Sequence, residues 1–457
     1  MRLFARLSVL VIVLSVAACG GAPPAEVSPS PAASPSASPE PTAPTSTPPE
    51  ATDSPSPAPT DGEPSPSPAG PTASPAPTPT AAAQPTPSFA PTTVPGSWAG
   101  PERISERAYD ELSLVVDGQG MAHAAARLGD GIFYLTNAGG SWTRERISRP
   151  PQAQDEEDVG YVDREPSIAI DADGSLWVAF TRMFDFENFG PYPEGIYLVT
   201  NRSGSWSSAV QLVGDTANSP SLKVRGGHIF FAYVDGRSSD AYDPSARYPV
   251  RYGTDLGGSL AFTRVARHGD LPQLELDTDG RPHILFASGA SLGNPDGLSY
   301  ALGAAPSGSF TVEHLPGTTG NERRAALAVD QSADAHAVWN LWPEDAAGPS
   351  VSYARRADGS WSSPEELMRD AGIQSAIAAD PARPGVLHVG VGGEAGVWYL
   401  TDRRGSFQSE RLSRQEVLSL DLAVDGGGRP HVLFMTGIDE GDVVTGHQLW
   451  YGTGPAD

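Results

Sequence analysis

From about residue 96 the chain repeats itself every 45–54 residues, a period that limits its possible folds more tightly than any other feature. The best-formed unit opens Ser167-Ile168-Ala169-Ile170-Asp171 and turns through Asp173-Gly174 into Leu176-Trp177-Val178-Ala179-Phe180. It continues through Gly195-Ile196-Tyr197-Leu198-Val199-Thr200, turns again at Ser203-Gly204 and ends with a segment from Trp206 to Val213. Runs this short, rich in β-branched and aromatic residues and bounded by Gly, Asp and Ser, read as strands rather than helices. Each unit therefore supplies four short strands.

Equivalent first strands begin near Ser113, Ser167, Ser221, Gln273, Ala326, Ala376 and Asp421, which makes seven units. Each third strand carries a tyrosine: Tyr134, Tyr197, Tyr252, Tyr300, Tyr353, Tyr399 and Tyr451. Eight to ten residues later a bulky apolar residue opens the fourth strand: Trp142, Trp206, Leu260, Phe310, Trp361 and Phe407. None follows Tyr451. Instead, Gly96-Ser97-Trp98 leading into Arg103-Ile104-Ser105 matches Gly140-Ser141-Trp142 leading into Arg146-Ile147-Ser148. The N-terminal strand is thus expected to complete the last unit, and a ring closed in this way has no open sheet edge. The expected fold is all-β: a seven-bladed β-propeller of four-stranded blades over residues 96–457. The repeated tyrosines and their aromatic partners read as blade-to-blade packing, because a residue needed in every unit fills the same hole each time.

The turns Asp171-Ala172-Asp173-Gly174 and Gly140-Ser141-Trp142 resemble the Asp-box or BNR-type repeats of sialidase-like propellers, across residues 96–457. The consensus occurs only in shortened form, as in Ala357-Asp358-Gly359-Ser360-Trp361. No Arg-Ile-Pro motif precedes the first full repeat, and the sialidase ring has six blades rather than seven. The resemblance therefore implies the fold more than an activity.

Five histidines occupy one place in the second strand, His123, His283, His336, His388 and His431, with Trp177 filling it in the second unit. Each belongs to a different blade, so they cannot converge within the ~2 Å that coordination needs. They read as structural, and neither a metal site nor a cofactor is expected. Asp117, Asp171, Asp277, Asp330, Asp380 and Asp425 read as turn-formers that cap their own backbone.

At the start of the chain Arg2 and Arg6 precede an apolar run from Leu7 to Val16 and then Ala17-Ala18-Cys19, the layout of an export signal over residues 1–19. The run is too short to span a bilayer. Two alanines before the cysteine resemble the lipobox of bacterial lipoproteins, which implies that Cys19 is lipidated and becomes the mature N-terminus. Residues 20–95 are almost wholly Pro, Ser, Thr and Ala with Phe89 the one aromatic, so they cannot bury a core and read as a disordered tether. The expected location is the cell envelope, lipid-anchored on the extracytoplasmic side of a bacterial membrane. Gly20 gives no sign of inner-membrane retention where an outer membrane exists.

Residues 1–95 hold two arginines and six acids. The rest of the chain therefore carries 28 basic and 49 acidic side chains, a net charge of −21. Such a field repels phosphate backbones and anionic lipid surfaces, so nucleic acid is excluded as a partner and membrane contact is expected through the anchor only. Cys19 is the one cysteine, so the propeller holds no disulfide, thiolate site or cysteine nucleophile.

In an up-and-down blade, the loops joining strands two to three and one blade to the next emerge on a single face. The long ones here are 149–166, 181–194 and 235–249. They nominate Asp163, Arg164, Phe186, Tyr192, Asp235, Arg237, Tyr242 and Asp243 as ligand-binding residues, clustered over the second and third blades. Aromatic faces beside carboxylates and guanidiniums suit a glycan or protein at the cell surface. The first functional reading is thus a membrane-anchored, monomeric binding module. One alternative is a sialidase-like glycoside hydrolase, with Arg164, Arg182, Arg237 and Arg323 as arginines that could converge. Another is a structural subunit of a cell-envelope assembly. No catalytic residue is assigned, because no serine elbow, HExxH, Walker loop or dinucleotide fingerprint is present.

Overall fold

The computed structural model describes residues 98–106, 111–152, 160–186, 190–214, 216–236, 248–289, 296–320, 322–341, 348–370, 372–439 and 444–455. Cys19 and the segment 20–95 lie outside them, as do Arg237, Tyr242 and Asp243.

Seven antiparallel sheets follow one another along the chain, and in the first six the strands run in sequence order from the ring's axis outward. Blade one consists of Leu112–Val116, Ala122–Leu128, Gly131–Thr136 and Thr143–Arg146. Blade five splits its outermost strand into Ser360–Trp361 and Glu365–Arg369. In blade seven the outermost strand is Ala99–Ser105, paired with Val444–Thr453, so the N-terminal strand closes the ring as expected.

Alternation along each strand sends side chains to the two neighbouring blades. Seven apolar clusters result, each shared by two adjacent blades, such as Leu114, Ala124 and Ala126 of blade one with Leu433, Met435 and Tyr451 of blade seven. The repeated aromatics clasp these interfaces. Trp206 of blade two meets Tyr134 of blade one at 5.2 Å, and Phe310, Trp361 and Phe407 meet the tyrosine of the preceding blade at 5.4, 5.3 and 5.2 Å. Trp142 meets Tyr451 at 4.8 Å across the seam, and Trp98 meets Tyr399 at 5.0 Å. Edge-to-face pairs of this kind add about 0.5–1.5 kcal/mol each beyond the area they bury.

Nearer the axis, side-chain oxygens tie four of the innermost strands to the next. Ser113 accepts the Ile168 N–H, Ser167 that of Leu222, Ser221 that of Leu274, and Asp421 that of Leu114. These acceptors share one register level, opposite Ala125, Ala179, Ala232 and Leu433 of the second strands. Beyond that level the second strand runs three more residues in blade one, to Leu128, but seven in blade two, to Phe186, and six in blade seven, to Asp439. At about 3.3 Å per residue, blades two and seven stand some 10–13 Å above blade one between them.

The segment 181–194, expected as an irregular loop, is therefore largely strand: Leu176–Phe186 and Gly190–Thr200 form an extended hairpin. Pro191 and Pro193 argue against a central strand. They are tolerated because the fourth strand, Val210–Val213, reaches only as far as Ile196, which leaves the extension of the third strand as an edge.

Candidate functional site

Among the described residues, the two tall hairpins make blade one the floor of a groove. Its near wall comes from blade two, where Tyr161 pairs in register with Phe184 and Phe184 with Tyr192. Directly opposed residues share a sheet face, so the three rings form a stripe across three strands. All three are half-buried, and Tyr161 and Phe184 lie edge to face at 4.9 Å.

Asp163 and Arg182 pair in the same register two residues below, on the side that faces blade one. Asp163 is fully buried, and Arg182 clamps it with Nε and Nη2 at 2.7 and 3.0 Å. Burial pushes this carboxyl above the ordinary range, and the two-pronged arginine opposes the rise. The Arg182 guanidinium also lies 4.3 Å from the centre of the Tyr197 ring, whose hydroxyl donates to Glu194 at 3.3 Å. Burial, with Glu194 second, raises the Tyr197 pKa.

The floor is a second charge network. Glu111 accepts from Arg164 Nε at 2.8 Å and Nη2 at 2.7 Å and from the Glu165 N–H, while Arg127 stands 3.8 Å away. Burial raises the Glu111 pKa against these partners. Glu165 has a left-handed backbone, φ 54°, and accepts from the Thr181 hydroxyl and the Ser219 N–H, both at 2.8 Å. Ser219 repeats that backbone in blade three at φ 54°, which tightly bulges the top of both innermost strands.

Of the residues nominated from sequence, Asp163, Arg164 and Tyr192 come together on blade two. Phe186 ends the second strand there, opposite Gly190. Asp235 lies on blade three and pairs with Arg251. Tyr233, one alternation below Asp235, packs toward blade two, so Asp235 and the aromatic stripe stand on opposite sides of the blade-two wall. Two features escaped the sequence reading. One is the stripe as a register-matched set. The other is the axial cavity of about 310 Å³, where the single lysine, Lys223, meets Glu275 at 2.6 Å. Asp421 faces the same cavity, and burial pushes its carboxyl to about 6.

Among the described residues, the fold and the built-up face define a seven-bladed propeller with a groove-bearing surface. No family model matches the chain. A lytic polysaccharide monooxygenase of the AA9 family from Geotrichum candidum is 28% identical over 106 residues, covering 22% of this chain and 33% of that protein, so the chain spans a third of its length. Among solved structures, a PL25 ulvan lyase is similar with a TM-score of 0.50 and 10% identity, over 77% of this chain and 95% of its own. The polysaccharide lyase Uly1 gives 0.49 and 11% over 81% and 95%. The intramolecular trans-sialidase from Ruminococcus gnavus gives 0.42 and 12% over 78% and 96%. At such identities the likeness is one of fold alone, and of these three the ulvan lyase reaches a TM-score of 0.50.

Proposed function

We propose that this protein is a non-catalytic binding module, held at the cell envelope through a lipid on Cys19, that takes a glycan along the groove over blade one. The observation that carries this reading is the stripe Tyr161–Phe184–Tyr192, set above an ion-paired floor. Sugar rings offer C–H faces that stack on aromatic side chains. The described carboxylates beside the stripe are engaged, Asp163 by Arg182, Glu111 by Arg164 and Glu165 by Thr181 and Ser219, which favours holding a ligand over hydrolysing it.

The test is a glycan-array screen of the full chain beside a variant with Tyr161, Phe184 and Tyr192 replaced by alanine. At about 1 kcal/mol per stacked ring, affinity should fall on the order of 100-fold. Retention of no glycan by the parent, or equal retention by the variant, rejects the groove. Release of new reducing ends from a retained glycan moves the reading to a hydrolase.

A further inference from the structure

On the other side of the blade-two wall, a cavity of about 330 Å³ is lined by Pro249, Arg251, Arg264 and Arg267. Arg251 and Arg264 stand directly opposite each other on neighbouring strands of blade three, Val250–Thr254 and Ala261–Ala266. Like charges directly opposed across a sheet cost stability. Asp235 pairs with Arg251, but no carboxylate pairs with Arg264 or Arg267 among the described residues, and both are exposed. In a propeller with 49 acids to 28 bases, three guanidiniums around one hollow concentrate positive charge against the overall balance. With Asp235 set against Arg251, Arg264 and Arg267 are left in excess, and a Debye length of about 8 Å limits how far the other acids cancel their field.

We infer that this hollow binds a single oxyanionic group, sulfate or carboxylate, carried by an acidic saccharide. Guanidinium groups match such oxyanions with paired N–H donors, and Arg264 and Arg267 alone supply more donors than one planar carboxylate can accept, which favours the tetrahedral sulfate. A bound oxyanion also relieves the Arg251–Arg264 repulsion. The saccharide as carrier rests on the glycan reading above, whereas the anion site itself stands apart from the groove.

The experiment is calorimetric titration of the full chain with sodium sulfate and with sodium acetate, at ionic strength matched with chloride. It is repeated on the double variant Arg264→Gln, Arg267→Gln and on Arg144→Gln, which removes an exposed charge from the outermost strand of blade one. Arg251 is left in place because it holds Asp235. The expected result is saturable sulfate binding that weakens at least tenfold in the double variant and is unchanged in Arg144→Gln. Acetate binding with the same pattern assigns the site to carboxylates. Heats no larger than those of chloride, or an undiminished response in the double variant, overturn the anion site. Since inorganic sulfate does not probe the aromatic stripe, that outcome leaves the glycan screen to be judged separately.

Discussion

Five of the seven blades bury the same three-residue relay. His123, His283, His336, His388 and His431 each lie 2.5–2.9 Å through Nδ1 from the tyrosine of their own blade and 3.3–3.4 Å through Nε2 from the turn aspartate. A carboxylate can only accept, so Nε2 carries the proton and the tyrosine donates to Nδ1. Burial lowers all five imidazole pKa values, His388 to about 4. An unfolded histidine titrates near 6.5, so below that pH the unfolded chain takes up protons that the folded chain refuses, and stability falls as pH falls. The carboxyls that burial raises, Asp421 to about 6 together with Glu111, Asp163, Asp402 and Glu410, oppose this, whereas the lowered carboxyls of Asp117, Asp277 and Asp425 act with the histidines. The melting temperature should drop by on the order of 10 °C between pH 7 and pH 4.5. A flat profile over that interval shows that the imidazoles do not hold the blades. The structural role of these residues was legible in the sequence from their repetition. Their hydrogen-bond partners were not, because tyrosine and histidine lie 11–20 residues apart.

At the scale of the element, the strand Ala99–Ser105 and the extended hairpin of blade two decide most. If the N-terminal strand is an equal member of blade seven, Trp98→Ala should destabilise the fold by about 2–3 kcal/mol, as much as Trp142→Ala at its equivalent place. Urea unfolding of the two variants checks this, and a Trp98→Ala protein as stable as its parent contradicts the closure. The match of Gly96-Ser97-Trp98 to Gly140-Ser141-Trp142 exposed that closure in the sequence. The hairpin was hidden, because Pro191 and Pro193 are loop signals until the short fourth strand is known to leave them on an edge. The same rise of blade two separates Asp235 from Asp163 and Tyr192, residues expected to cluster because their long loops emerge on one face. Blades two and three, which lack the histidine relay, fill its place with Trp177 and Phe230, and Asp171 turns instead to the Gly226 and Gly227 N–H groups of blade three.

For the whole molecule, the proposed anchor gives the plainest expectation. Cys19→Ser should move the protein from the membrane fraction to the soluble extracytoplasmic fraction and abolish labelling with a fatty acid, while the melting temperature of the propeller stays put. Continued sedimentation with membranes would put the attachment elsewhere. By itself the sequence determined the number of blades, the strand content and the closure of the ring, because these follow from a local pattern repeated seven times. Only the tertiary structure decided where the surface is charged and aromatic. Tyr161, Phe184 and Tyr192 become one stripe, and Arg251 meets Arg264, through the pairing register and the height of one blade above its neighbour. Those quantities are set between strands rather than along them.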